Sequence, residues 1–498
     1  MTRRALGRAL GAATLALAVA PAIAAGAAAP GAGPAAFRVP PPQRATLKNG
    51  LTVLVLERRS VPLVQLRLMI DAGAVLDPPG KEGAAALTAR LLKRGTASRP
   101  ARQFAEEVEF VGGLLEADAG VESTVVVGEF ASRDLEVGLN LMSDMVVRPL
   151  FPQAEFDNQK SLALADIVAR LDDPSRLAAE AFDAWLYGDH PYGRPAEGTS
   201  RSVSSLTRAD VESFHRAFYA PNAAILAVVG DVDAAQAMAR VESRFSGWQR
   251  ARAPRPRLAD PPAARGRRIL LLDKPDATQS QIRFGNVGLA RNHPDRVPLT
   301  VANTILGGGF TSWLVDEVRV KRGLTYGIRS SIVARRAAGS FVVSTFSKNE
   351  TVVETIAVSL EQVGRLRAGS IPAEDLDKAR NYLSGLYPLQ IESPDDLAEE
   401  ILNVEFYGLG RDYINQYRAR VGAVGMQEVR KAAARHVPHD DLAIVVVGPA
   451  AQLEKPLAKL GRVTVRPAAP APAGPAGGQG APGRAALSPG PASPAPAP

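Results

Sequence analysis

Two long stretches of this chain begin and end alike, and that duplication restricts the possible folds more than any other feature. The first opens with LTVLVLE (51–57) and closes with AAILAVVG (223–230); the second opens with RRILLLD (267–273) and closes with DLAIVVVG (441–448). Glu57 and Gly230 lie 173 positions apart, Asp273 and Gly448 175. Each closing run follows an amphipathic helical pattern and a proline-containing turn, RAFYAPN in one case and AARHVPHD in the other. Solenoid units recur every 20 to 50 residues, roughly, so a period this long means two homologous domains. A chain of 498 residues is also too long for one core.

Within each block the pattern alternates irregularly between strand and helix. VPLVQLRLMI (61–70) and STVVVGEF (123–130) read as strands, while EGAAALTARLLKRG (82–95) and the stretch from Pro152 to Leu171 have helical spacing. Helices that follow hairpin-like strands point to an α+β fold: two homologous domains, each a mostly antiparallel sheet with helices packed on one face, enclosing a cleft or chamber. The domains are expected over 45–249 and 268–465, joined by the Pro/Arg-rich linker 250–267. Residues 466–498 are nearly all Pro, Ala, Gly and Ser, too poor in apolar surface to order themselves.

The first 24 residues have the parts of a secretory signal. Arg3, Arg4 and Arg8 form a basic region, Leu10 to Ala20 an apolar stretch too short to span a bilayer, and Ala22-Ile23-Ala24 a cleavage triplet. An Ala/Gly/Pro-rich tether over 25–44 follows. The expectation is an exported, periplasmic protein, attached to a membrane only if the leader is retained. The chain has no cysteine, which excludes disulfides, thiolate catalysis and thiolate zinc sites, and suits an oxidising compartment. The formal charge of +8 is scattered, without a run of five like charges or a basic stripe, so nucleic acid is not an expected partner.

Familiar catalytic patterns are missing. There is no G-x-S-x-G elbow, and Gly307-Gly308-Gly309-Phe310 lacks the Lys-Ser/Thr of a phosphate loop; alone, the triple glycine is a turn that permits close backbone approach. The five histidines form no H-E-x-x-H or H-x-x-E-H motif. His436 and His439 are three apart but flank Pro438, which reads as a solvated helix-terminal turn.

The segment LGGGFTSWLVDEVRVKRGLTYGIRSS (306–331) carries a specific resemblance. With DAGAVLDPPGKEG (71–83), KRGT (93–96), FPQAEFDNQKSLALADI (151–167), HPYGRPAEGT (190–199) and YAPNAAILAVVGDVD (219–233), it resembles the pitrilysin/insulinase family of zinc metallopeptidases, in its two-domain, processing-peptidase-like branch. The likeness runs from about 45 to 465. It implies an inverted zinc motif, H-x-x-E-H, on a helix of the first domain. Anchored on Gly95-Thr96, that motif falls on Ala86 to Arg90, with Ala86, Ala89 and Arg90 where the two histidines and the glutamate base belong. The third ligand position falls on Asp166, and its acidic neighbour two turns earlier on Gln159. Alanine offers no lone pair, arginine does not deprotonate, and one carboxylate cannot hold catalytic zinc. Arg90 and Asp166 are expected to be solvated or paired charges.

The family's second-domain pair survives. An arginine and a tyrosine seven positions apart match Arg319 and Tyr326. Both donate hydrogen bonds, which suits them to fix a peptide carbonyl and stabilise an oxyanion, with the glycines 307–309 admitting substrate backbone. At Trp313 many relatives carry arginine, leaving either a hydrophobic anchor or a core residue. The resemblance therefore implies a non-catalytic, substrate-binding subunit of a heterodimeric peptidase, inactive alone. This chain would bind no metal or other cofactor, and zinc would sit in a homologous H-x-x-E-H partner. The rival reading is a catalytically silent structural or peptide-binding protein of the cell envelope.

Overall fold

The computed structural model describes residues 38–250 and 258–468. The expected signal peptide, most of the tether, residues 251–257 of the linker and most of the tail lie outside the described residues.

The duplication is visible strand by strand. In the first domain β1 (Gln43–Thr46), β2 (Thr52–Glu57), β3 (Leu63–Ile70), β4 (Leu114–Ala119), β5 (Thr124–Ala131) and β6 (Ala224–Gly230) form one sheet, in the order β1-β2-β6-β3-β5-β4. In the second, β7 (Arg267–Asp273), β8 (Gln279–Val287), β9 (Ile328–Ile332), β10 (Ser340–Lys348), β11 (Leu442–Gly448) and β12 (Arg462–Pro467) form another, in the order β12-β7-β11-β8-β10-β9. The central pairs β2–β6 and β7–β11 are parallel, and within β3–β5–β4 and β8–β10–β9 every pair is antiparallel. The outer strands differ: β1 runs antiparallel to β2, whereas β12 runs parallel to β7.

Each sheet packs one face against helices of its own domain. Val53, Val55, Leu66, Leu68 and Val228 meet Leu87, Leu91, Phe104 and Leu139; Ile269, Ile282, Phe284 and Val446 meet Leu299, Leu306, Leu314 and Val318. The opposite faces are covered reciprocally. The helix Pro174–Tyr187 of the first domain packs on β8 and β11, placing Ala178, Phe182 and Leu186 against Leu270, Leu272, Val445 and Val447. The helix Pro394–Tyr407 of the second packs on β3 and β6, burying Leu397, Ala398, Ile401 and Leu402, while Leu54, Leu56, Ala227 and Val229 are buried on that face. This is why both closing runs are continuously apolar rather than alternating: strands covered on both faces have no solvated side. One-faced helix packing thus describes each domain's own helices, and the second face is covered by the other domain.

The glycines that end these runs are sterically required. At Gly230 (φ +149°) a Cβ would lie 2.2 Å from the Leu63 carbonyl oxygen, and at Gly448 it would lie 2.3 Å from Ser280 Oγ. Polar contacts join the domains as well. The Glu122 carboxylate, 6% exposed, accepts from Tyr192 Oη (2.5 Å) in the first domain and from the backbone N–H of Arg336 (2.9 Å) in the second. Tyr192 belongs to the HPYG turn, where the side chain of His190 accepts from the Tyr192 N–H.

Phe182 tests the exchanged packing. Phe182→Ala is expected to cost about 3–5 kcal/mol in denaturant unfolding, the usual penalty for emptying a buried aromatic site. Phe110→Ala, at a position 91% exposed, should stay within about 0.5 kcal/mol of the parent.

Candidate functional site

The first candidate region is the helix Ala84–Leu91. It starts after Gly83, whose φ of +96° lets the chain turn into the helix. The Asp77 carboxylate accepts from the N–H groups of Gly83 and Ala85, both at 2.8 Å, and serves the helix start in place of a local cap. Six of the eight residues from Ala84 to Leu91, together with Thr88, are buried, which the small side chains permit. Arg90 alone stays partly exposed.

Arg90 and Asp166, 76 residues apart, meet there. The helix Gln153–Arg170 lies beside Ala84–Leu91, and Arg90 donates to Asp166 Oδ2 at 2.8 Å. The alignment with the zinc motif thus puts two ligand positions side by side in space, and the structure fills them with an ion pair. Their side chains are 29% and 55% exposed, so the pair contributes about 1 kcal/mol or less. Gln159, one face of the same helix earlier, is buried with no partner for its amide nitrogen among the described residues. The donor set does not fit zinc: Ala86 and Ala89 present methyl groups, Arg90 a cation, and Asp166 a carboxylate already paired.

The second candidate region is built around the triple glycine. Thr304–Gly308 and Val315–Lys321 are both wide-turned, π-type helical segments flanking it. Such segments are uncommon and concentrate at functional sites. The first two glycines serve packing within the protein: a Cβ on Gly307 would lie 2.6 Å from Ser330 Oγ, and one on Gly308 2.8 Å from Asn303 Nδ2. At Gly309 the nearest atom would be 3.6 Å away.

Beyond Gly323 (φ +63°) the chain reverses, and Leu324 N–H bonds to the Val318 carbonyl. Thr325 is buried and its hydroxyl donates to the Gly327 carbonyl, so that the side chain of Tyr326 is left outside. This reversal brings Tyr326 back over Arg319. The guanidinium carbon lies 4.9 Å from the Tyr326 ring centre and 5.4 Å from that of Phe310. Two exposed rings therefore lie within cation–π distance of the guanidinium, and its N–H groups have no hydrogen-bond partner among the described residues. Tyr326 and Phe310 are 78% and 76% exposed. Sequence reasoning treated Phe310 only as the end of a glycine turn; an aromatic residue placed directly after glycines was the available signal.

Trp313 is 8% exposed, donates to Asp375 Oδ2 at 2.8 Å and stacks under Arg365 at 3.9 Å. Its ring still lines a cavity of about 170 Å³ with Phe310, Thr311, Lys378 and Tyr382. His436 does not pair with His439. Its Nε2 lies 2.8 Å from Asp295 Oδ2, and His293 stands nearby at 5.4 Å between ring centres. Arg435 shares the same carboxylate oxygen and the Asp295 N–H bonds to His293 Nδ1, so these groups are engaged with one another.

Asp77 gives a pH test of the helix start. Burial pushes its carboxyl up to about 7, from an ordinary value near 4. The folded state then holds a proton that the unfolded state has released. This contribution to stability is complete below about pH 4 and lost as pH rises through about 7. Measured against Asp77→Asn, the wild type should lose up to about 1.4 kcal/mol per pH unit across that window in denaturant unfolding. A pH-independent difference would contradict the assignment.

Comparison with known proteins identifies the family and the fold. Residues 52–200 match the family described as Insulinase (Peptidase family M16), and residues 205–383 match the Peptidase M16 inactive domain. An uncharacterized zinc protease of Mycobacterium tuberculosis is 30% identical over 82% of this chain and 93% of that protein. One from Streptomyces coelicolor is 27% identical over 82% of this chain and 89% of its own length. Among solved structures, a peptidase M16 inactive domain from Pseudomonas fluorescens superposes with a TM-score of 0.78 at 27% identity, covering 82% of this chain and 98% of that one. A protease from Helicobacter pylori shares the fold, with a TM-score of 0.77 at 21% identity over 82% and 100% of the two chains. The chain belongs to the insulinase family of peptidases, family M16, as a member whose sequence lacks the H-x-x-E-H motif.

Proposed function

We propose that this chain is the non-catalytic, substrate-binding subunit of a heterodimeric zinc peptidase, and that a homologous H-x-x-E-H subunit brings the metal. The observation that carries this reading is the contrast between the two candidate regions. The ligand positions hold an Arg90–Asp166 ion pair, while Arg319 and Tyr326 stand together with donors directed to solvent. Loss of peptidase chemistry alone would not require that second pair.

This chain's share is to bind and polarise. The guanidinium N–H groups and the Tyr326 hydroxyl donate to the carbonyl oxygen of a bound peptide, in a pose that the Phe310 and Tyr326 rings restrict beforehand. Such donors gain strength as charge develops on that oxygen, and a guanidinium already in cation–π contact with two rings loses little freedom on binding. The relatives named as zinc proteases support peptide as the substrate class. The basic, apolar and small-residue order of the leader supports export to the periplasm.

The test is reconstitution. Purified alone, the chain should not hydrolyse an unstructured peptide; mixed with its H-x-x-E-H homologue, it should support chelator-sensitive hydrolysis. Arg319→Ala or Tyr326→Phe in the mixture should lower kcat/KM about 10²- to 10³-fold, as loss of an oxyanion donor does elsewhere. Full activity of both variants would overturn the role given to the pair. A mixture no more active than the partner alone would favour the silent structural or peptide-binding protein instead.

A further inference from the structure

The internal duplication supplies its own control experiment. Strands β3 and β8 share the pattern VQLRL and SQIRF, and the sheet registers superpose them. Arg67 stands opposite Ala227 on β6 and Val127 on β5; Arg283 stands opposite Val445 on β11 and Ser344 on β10. Arg67 and Arg283 are therefore the same position in the two domains, each on the face covered by the other domain's helix. Those helices, PSRLAAEAFDAWLY (174–187) and PDDLAEEILNVEFY (394–407), also align from proline to tyrosine without a gap.

In the first domain the arginine is neutralised by its covering helix. Arg67 makes two hydrogen bonds to Asp395, each 2.7 Å, and one to Glu399 at 2.9 Å. The residues aligned with Asp395 and Glu399 on the other helix are Ser175 and Ala179. Both carboxylates are absent, and Arg283 makes no hydrogen bond or ion pair among the described residues. A second cation is close to it. Arg329 on the edge strand β9 stands opposite Ser344, so Arg283, Ser344 and Arg329 form one row across three strands. They line, with Ser175, Gln281 and Gly327, a cavity of about 330 Å³. Burial and the Arg329 charge both weigh against the Arg283 cation, and Asp183 is the acid that favours it. Asp183 makes no ion pair with it, and also feels Arg335.

We propose that the Arg283–Arg329 cleft is a carboxylate-binding subsite for the peptide, occupied by an acidic side chain or a C-terminal carboxylate where Asp395 and Glu399 occupy its twin. One partly buried guanidinium group (Arg283) and one exposed one (Arg329), beside two serine hydroxyls, form a donor set for an oxyanion, and arginine binds carboxylate with paired N–H groups. The position suits a substrate subsite, because Gly327 in its wall directly follows Tyr326. The proposal rests on the substrate-binding role given above and names the substrate class it selects.

The test uses the full chain and labelled, unstructured peptides. One carries an internal glutamate and a free C-terminus; others have that glutamate as glutamine, the C-terminus as amide, or both. Neutralising the carboxylate that the cleft reads should weaken binding about tenfold, and which peptide loses affinity identifies the source. Arg283→Met should remove this discrimination. Ser175→Asp should remove it too, by restoring the internal carboxylate of the first domain while leaving Arg283 in place. Arg319→Ala should weaken all the peptides alike and keep the discrimination. Equal binding of all four peptides by the wild type, or discrimination that survives both Arg283→Met and Ser175→Asp, would overturn the subsite and leave the peptide-binding reading standing. If no peptide binds, N-acetylglutamate is the probe. Thermal stabilisation of the wild type but not of Ser175→Asp would then uphold the carboxylate site against the peptide reading, and its absence would overturn both.

Discussion

Everything in this structure depends on the exchange of two helices between the domains. Each sheet has two apolar faces, and its own domain covers only one. Phe182 and Leu186 complete the second domain's sheet, as Ile401 and Leu402 complete the first. A sheet left with an apolar face in water has no stable free state, so neither domain reaches its full core without the other. The exchange also places the helix that follows the Arg90–Asp166 site directly on the sheet that carries Arg283.

Duplication followed by divergence explains how one scaffold carries different chemistry in its two halves. The backbone framework is preserved to the order of six strands, because strand order is fixed by burial on both faces and tolerates little change. Charged positions on that framework have been altered separately. Arg67 keeps two carboxylates, whereas Arg283, at the same place in the other sheet, has a serine and an alanine facing it. On the helix Ala84–Leu91 the one partly exposed residue, Arg90, is paired with Asp166 of the neighbouring helix, so neither charge stands without a counter-charge.

Much of this was legible in the chain itself. The opening and closing runs became β2, β6, β7 and β11 with ends within a residue of the pattern, because long apolar runs bounded by glycine leave few alternatives. That Ala86 and Ala89 carry no donor atom, and Arg90 only a cation, is read from residue types alone. The pairing of Arg90 with Asp166 is not, since the two lie 76 positions apart and the chain between them must fold before the charges meet. The same holds for the placing of Arg319 beside Phe310 and Tyr326: it requires a wide-turned helix and a reversal at Gly323, and neither has a periodic signature.

The sequence by itself determined that there are two like domains, where their strands run, and that Ala86, Ala89 and Arg90 offer no lone pair to a metal. These are local matters of hydrophobic period, turn chemistry and side-chain donor capacity. Only the tertiary structure decided which helix covers which sheet, and therefore which arginine meets a carboxylate. Packing across domains joins residues hundreds of positions apart, such as Arg67 and Asp395, and nothing in the local pattern of either one encodes the other. The contrast between a neutralised Arg67 and an unpaired Arg283 arises from that packing, through the identity of two residues on each exchanged helix.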